Sequence, residues 1–423
     1  MFPKNPYFCG LETHDMSTKK KIINDPIHGF IDIPSGLLFE LLEHPYVQRL
    51  RNIKQMGMSY LVYPGACHSR FSHALGTMHL MQQSLLSLRS RGQNISDEEM
   101  EAASCAILLH DIGHGPFSHT LENTIVENIS HEEISLAFMK KLNAIFDGRL
   151  SMAIAIFNGS YPKKFLHQLV SSQLDVDRLD YLCRDSFFSG VAEGMIGLER
   201  ILKMLDVVHD ELIVEAKGIY SIEKFLISRR LMYWQVYLHK TVLAADQVLL
   251  QLLRRAKLLF ARGENLFASP VLSLFLKNKF AITDFEQDDI LEAFAQLDDS
   301  DIDSAIKAWC NADDPVLSQL CQMLVTRRLF KIEISEKPFD NVYVEQIKKT
   351  AQVKLSNIPA ADLDYFVITD SIVNKGYDEG NGKILIRYKD NQLRDIYEAS
   401  DMLSAQAFSG ITKKYFLCYP KAK

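Results

Sequence analysis

Three histidines and an aspartate crowd the stretch LLHDIGHGPFSH, residues 108–119. An apolar run from Ala103 to Leu109 leads straight into His110 and Asp111, and Gly113, Gly115 and Pro116 follow. A buried helix that ends this way places ligand-type side chains where a core has no use for them. His73 and Asp177 supply a second imidazole and a second carboxylate elsewhere in the chain. Two imidazoles and two carboxylates form a mixed donor set suited to Fe, Mn, Zn or a similar divalent ion. A lone buried histidine is more often a satisfied core residue than a ligand. Four ligand types near helix ends are harder to explain that way.

Each of these donors needs an element to carry it. Ser96 and Glu99 in SDEEMEAASCAILLHD form the pattern of a capping box. Met100, Ala103 and Ile107 continue at helical spacing onto His110, which points inward, and the glycines and Pro116 then end the helix. Leu75, Met78, Leu85 and Leu88 predict a second helix with His73 in its first turn. In SSQLDVDRLDYLCRDS, a helix would set Asp177, Asp180, Tyr181 and Arg184 on one face. The plain alternative for that stripe is a solvated charged face, with Leu174, Leu179 and Leu182 as the apolar side. One long helical stretch is predicted from Ser221 to Phe260.

Two regions depart from the helical pattern. ELIVEA, residues 211–216, reads as a hairpin strand, and DYFVITD, KILIRY and KKYFLCYP read as strands around the turn sequence DEGNG. The expected fold is mainly α, with a disordered tail at 1–18, a helical domain at 19–262, a helical middle at 263–335 and a small α+β lobe at 336–423. Met16 is an alternative start to Met1.

Composition narrows the function. The chain has 423 residues, 47% hydrophobic and 24% charged, as in an ordinary globular protein. Its net charge of -6 argues for at most weak nucleic-acid binding, so an anionic ligand requires a local basic pocket. Seven scattered cysteines, never spaced as C-x-x-C, suggest reduced thiols in a cytoplasmic setting. No apolar run is long enough for a membrane span.

The ordered stretches NDPIHGFIDI, QRLRNIKQMG, YPGACHSRFSHALG, LLHDIGHGPFSH, DVDRLDYLCRD and YLHK resemble the HD-domain phosphohydrolases. Within that family they are most similar to deoxynucleoside triphosphate (dNTP) triphosphohydrolases. The resemblance implies an HD-domain helical core and a nucleotide-activated, metal-dependent enzyme that releases deoxynucleoside and tripolyphosphate. It makes His73, His110, Asp111 and Asp177 the ligands of Fe, Mn, Zn or Ni, with Mg accompanying the nucleotide phosphates. It gives His114, His119 and His131 the α-phosphate and leaving group, with Glu122 orienting a catalytic histidine. Gln55, Arg70, Arg178, Tyr181, Asp185 and Tyr237 would hold base, sugar and triphosphate. Arg178 stands where the vertebrate family members have lysine, and Glu122 where they have aspartate.

An upstream group, Lys21, Asn24, Asp25, His28, Glu43, Gln48 and Arg51, falls where the family has a regulatory nucleotide site at a subunit interface. The resemblance thus also implies a nucleotide effector and a homodimer or homotetramer. Taken alone, NDPIHG is only a turn signal with a structural Asp and His. For Arg229 and Lys240, phosphate contact competes with plain helix-surface charge. Other functions stay open: an HD-type nucleotidase or signalling-nucleotide hydrolase, and a non-catalytic nucleotide sensor or nucleic-acid-binding scaffold.

Overall fold

The computed structural model describes residues 21–375, 382–402 and 411–421, apart from the side chains at 119, 123, 374, 375 and 411. The expected tail at 1–18 and most of the DEGNG turn lie outside those residues. The fold is mainly α, with a few small sheets. A hairpin of β1 (Lys21–Asp25) and β2 (Gly29–Ile33) precedes α1 (Leu37–Glu43). The helices that carry the ligand-type residues follow: α2 (Arg70–Ser90), α3 (Asp97–Leu108), α4 (His131–Ile145) and α5 (Val176–Ser189).

Helix α2 packs on both α3 and α5. It buries Phe71, Leu75, Met78, Leu85 and Leu88, each contributing about 1.5–3 kcal/mol relative to exposure. The capping box predicted for α3 is present, with Ser96 Oγ accepting from Glu99 N and Glu99 returning a carboxylate to Ser96 N. Helix α4 opens with a second such box, Ser130 and Glu133.

The predicted stripe on α5 is not a solvated face. Asp180 and Arg184 are fully buried, and α2 yields them room at Gly76. A Cβ on Gly76 would lie 2.0 Å from Asp180 Oδ1 and 2.3 Å from Arg184 Nη2.

The long helix expected from Ser221 to Phe260 is two helices, α6 (Ile219–Met232) and α7 (Lys240–Ala261). Between them lie a π-turn, Tyr233–Tyr237, and a break at His239, whose imidazole caps the new helix by accepting from Thr241 N. Such π-turns are frequent at functional sites. Here it brings Tyr237 to Asp185.

Helix α8 (Asp299–Trp309) belongs to the helical middle. That region does not stay helical to 335, because residues 331–335 form a strand. The hairpin β3 (Leu205–Val208) and β4 (Glu211–Glu215) precedes α6 in the chain. The later strands are β5 (Lys331–Ser335), β6 (Ile368–Lys375), β7 (Leu385–Arg387), β8 (Leu393–Asp395) and β9 (Ile411–Tyr419). One sheet runs β5-β9-β6, antiparallel throughout. The other runs β3-β4-β7-β8, with β7 parallel to β4, so C-terminal strands extend a hairpin of the helical domain. Arg387 fastens that junction to Asp206 at 2.7 Å. Among the described residues, no helix is long and apolar enough to cross a membrane.

Candidate active site and metal centre

The first turns of α2 and α5 and the end of α3 converge on one point. His73, fully buried, points Nε2 to Asp177 Oδ1 at 3.0 Å and to Asp111 Oδ2 at 3.7 Å. His110 Nδ1 meets the Ile107 carbonyl at 2.6 Å, which turns Nε2 to Asp111 Oδ1 at 3.5 Å and Asp177 Oδ1 at 3.6 Å. The structure therefore brings His73, His110, Asp111 and Asp177 together. Donor atoms of His73, His110 and Asp177 all lie within 4.8 Å of one another.

A divalent ion fits this donor set. His110 Nε2 is buried without a hydrogen bond, an arrangement that costs free energy unless a ligand completes it. The far nitrogen of each imidazole is engaged by a carboxylate or a carbonyl, the usual way a metal-binding histidine is oriented.

Charge at the site follows from these pairings. Burial opposes the charged form of His73, but its bonds to Asp177 and Asp180 outweigh that and raise its pKa to about 10. Burial likewise opposes ionisation of Asp177, and His110 and His73 hold it well below the usual carboxylate range. Asp111 is held low by His110, Arg70 and His114 against its own burial.

Asp111 is also where the second cluster begins, because His114 Nε2 lies 3.3 Å from its Oδ1. His114 and His131 stack, with ring centres 3.8 Å apart. Burial, then the neighbouring Arg70, pushes His114 well below the ordinary imidazole range, so it stands neutral at pH 7. Glu122 Oε1 binds His131 twice, at the backbone N–H (2.9 Å) and at Nδ1 (2.6 Å). The longer side chain of Glu122 thus still reaches the histidine. The backbone of His119 lies in a 3-10 turn, Ser118–Thr120, and its side chain lies outside the described residues. Gly113 lets α4 close on this loop, since a Cβ there would lie 2.2 Å from the His131 carbonyl.

A cavity of about 630 Å³ opens over both clusters, within the range of small-molecule sites. Its lining includes all six expected substrate residues: Gln55, Arg70, Arg178, Tyr181, Asp185 and Tyr237. Arg70 donates to Ser118 Oγ at 2.7 Å and to Asp111. Arg178 pairs with Asp175 at 2.5 Å. Asp185 takes His68 Nε2 on one oxygen (2.8 Å) and the Tyr237 hydroxyl on the other (2.7 Å). Arg229 lines the same cavity, whereas Lys240 is exposed outside it.

The upstream group divides. Lys21 pairs with Glu43, and Arg51 donates to Gln48 at 2.7 Å while lying on the Phe71 ring. Asn24 is exposed on β1. Asp25, expected to bind a regulatory nucleotide, is instead buried, and so is the His28 ring. Asp25 accepts from Ile27 N, His28 N and Arg184, and His28 reaches Asp180 at 2.6 Å. Both fit the turn-signal alternative: Asp25 meets the charge of buried Arg184, and His28 meets Asp180.

Sequence reasoning did not single out Asp180, His68 or Asp246 as site residues. Asp180 and His68 each orient a neighbour that meets the site. Asp246 lines the cavity and takes a hydrogen bond from Thr120 Oγ1 at 3.0 Å.

Comparison with known proteins follows the same segments. Residues 70–185 match the HD domain and residues 196–261 the HD associated region. The uncharacterized protein YwfO of Bacillus subtilis is 32% identical over 369 residues, covering 85% of this chain and 82% of that protein. The chain belongs to the HD-domain phosphohydrolases. A crystal structure of a phosphohydrolase from Bacteroides thetaiotaomicron superimposes on this HD protein with a TM-score of 0.92. It is 53% identical and covers 95% of this chain and 100% of its own. The deoxynucleoside triphosphate triphosphohydrolase SAMHD1 homolog of Dictyostelium discoideum is 31% identical over 250 residues. That match covers 53% of this chain and 48% of the relative, so the HD chain spans about half the length of such relatives.

Proposed function

We propose that this HD phosphohydrolase cleaves a dNTP between the 5′-oxygen and the α-phosphorus, releasing deoxynucleoside and tripolyphosphate. One observation carries the reading: a single cavity is lined both by phosphate-type cationic side chains and by nucleoside-type aromatic and polar ones. Arg70, Arg178, Arg229 and the stacked imidazoles would meet anionic oxygens, whereas Gln55, Tyr181, Asp185 and Tyr237 offer aromatic and hydroxyl-binding surface. The match to relatives named as dNTP triphosphohydrolases supports the same substrate class.

His73, His110, Asp111 and Asp177 would hold a divalent transition metal such as Fe, Mn, Zn or Ni. Such an ion supplies two things: a polarised phosphoryl oxygen and a bound water whose pKa falls from 15.7 to about 7. Neutral His114 donates one N–H toward a phosphate oxygen. His119 is the leading acid–base candidate to deliver a proton to the leaving 5′-oxygen, together with His131, which Glu122 aligns. Arg70 and Arg178 exchange their carboxylate partners for triphosphate oxygens, a charge-assisted contact that suits arginine's planar fork. The Tyr181 ring, packed against deoxyribose, penalises a 2′-hydroxyl sterically.

Incubation with each dNTP and Mn²⁺ or Mg²⁺, followed by chromatography of the products, tests this. Deoxynucleoside with intact tripolyphosphate is expected. Monophosphate with pyrophosphate, or stepwise loss of single phosphates, would sink the reading and favour a nucleotidase of the same family. The effector expectation rests on Lys21, Asn24, Glu43, Gln48 and Arg51, and predicts that mixed nucleotides outpace single ones. Light scattering with and without nucleotide tests the expected dimer or tetramer.

A further inference from the structure

The loop from Ile112 to Ser118, which joins the metal-type ligands to the histidine cluster, is held in an unfavourable shape. Phe117 and Ser118 sit at φ 54° and 53°, in the left-handed region that side chains other than glycine rarely adopt. Such conformations persist only where the surroundings over-determine them. The holding groups lie outside both family-matched segments, 70–185 and 196–261.

Asp299, 3% exposed in the first turn of α8, accepts the Phe117 N–H on Oδ1 at 2.7 Å. Its Oδ2 accepts Lys54 N at 3.0 Å and Lys54 Nζ at 3.1 Å. The Lys54 carbonyl in turn takes the Ser118 hydroxyl at 2.9 Å, and Ser118 Oγ takes Arg70 Nε at 2.7 Å. Arg70 then closes on Asp111. Every link is a hydrogen bond or ion pair, and the path ends on a residue of the metal-type cluster. Arg49 grips the other side of the same loop, donating to the Ile112 carbonyl at 2.9 Å and the His114 carbonyl at 2.7 Å.

We propose that Asp299 is a positioning residue for the active site: it fixes the left-handed Phe117–Ser118 corner and, through Lys54 and Ser118, aims Arg70. The helical middle is then part of the catalytic apparatus and not only its support. The inference rests on the cavity being the reaction site, but not on which phosphoester is cleaved there. A carboxylate is needed because both oxygens accept. In Asp299→Asn the amide group would face an N–H donor on one side, and one of the two strands of contact would be lost.

The test compares Asp299→Asn with Asp298→Ala. Asp298 caps the same helix at Ser300 N, 2.8 Å away, so its loss weakens α8 while leaving the loop contacts in place. Two readouts are taken: amide hydrogen exchange over 112–118, and kcat and KM with the best of the four dNTPs and with bis(4-nitrophenyl) phosphate. Asp299→Asn should speed exchange at Phe117 and lower kcat on the order of 10²-fold, the scale of an ångström-sized misplacement, with KM and bound metal little changed. Asp298→Ala should lower Tm without the kcat loss. Ser118→Ala, which cuts the path without touching α8, should lower kcat in the same direction and serves if Asp299→Asn does not fold. Wild-type kcat in Asp299→Asn, an unchanged Phe117 amide, or an equal kcat loss in Asp298→Ala would overturn the proposal. If no dNTP yields tripolyphosphate in the wild type, the substrate reading fails, while exchange and the diester still decide the role of Asp299.

Discussion

The carboxylate of Asp180 holds His73 Nδ1 at 2.7 Å through one oxygen and His28 Nε2 at 2.6 Å through the other. The same two oxygens take Arg184 Nε at 2.8 Å and Nη2 at 2.9 Å. Four contacts on one buried group fix the His73 ring and therefore the direction of its Nε2. Asp180→Asn keeps the shape but places an amide N–H against donors. Metal affinity should fall about 10–100-fold, the usual effect of losing the partner behind a ligating histidine. Competition against a chelator measures it; an unchanged affinity would remove Asp180 from that role.

Direct ligands should behave differently from their supports. His110→Ala combined with Asp111→Ala should abolish bound metal and hydrolysis together. His119→Ala should leave metal bound and slow turnover by about 10²–10⁴-fold, the contribution of a lost general acid or base. Metal analysis and rate, read on the same samples, separate the two classes. A His119 variant that loses metal would move that residue into the ligand set.

The pattern of what could be read from the chain has physical reasons. His73, His110, Asp111 and Asp177 stood out because ligand chemistry at helix ends is legible one segment at a time. Asp180 did not, since it shares a helix face with Asp177 and nothing in the spacing separates a ligand from the residue behind one. Its partner Arg184 is fully buried between Asp180 and Asp25, and Asp25 arrives from β1, a pairing 159 residues apart that no local pattern encodes. The break at His239 was invisible for a related reason: YWQVYLHK contains no glycine or proline, and the break depends on an imidazole cap. Strand β5 was legible in principle, because Ile332 and Ile334 alternate in KIEIS.

Gly76 is where helix packing and the buried network meet. Any Cβ there must displace the Asp180–Arg184 pair, which lies within 2.3 Å of its position. Overpacking alone typically costs about 1–3 kcal/mol, and separating a buried ion pair adds about 3–5 kcal/mol. Gly76→Ala should therefore lower Tm sharply and weaken metal binding with it. Gly92, with open space around its Cβ position and φ +92°, provides a contrast in which only backbone strain operates. Equal loss in Gly76→Ala and Gly92→Ala would show that the close approach at Gly76 does not matter.

Asp246 carries a pH signature. Burial raises its pKa from 3.8 to about 7, opposed only by the hydrogen bond from Thr120. Between those two values the unfolded chain has released its proton while the folded chain keeps it, so stability falls as pH rises through that window. Below pH 4 both states are protonated, and above pH 7 both are ionised, so the slope vanishes outside it. At 1.36 kcal/mol per pH unit, the penalty accumulated by neutral pH is roughly 4 kcal/mol as an upper bound. Asp246→Asn lacks the ionisation and escapes that penalty. Its stability relative to wild type, measured by urea unfolding, should be greatest at pH 8 and shrink steadily toward pH 4. A difference that stays constant across this range would mean that the carboxylate is solvated in the cavity wall.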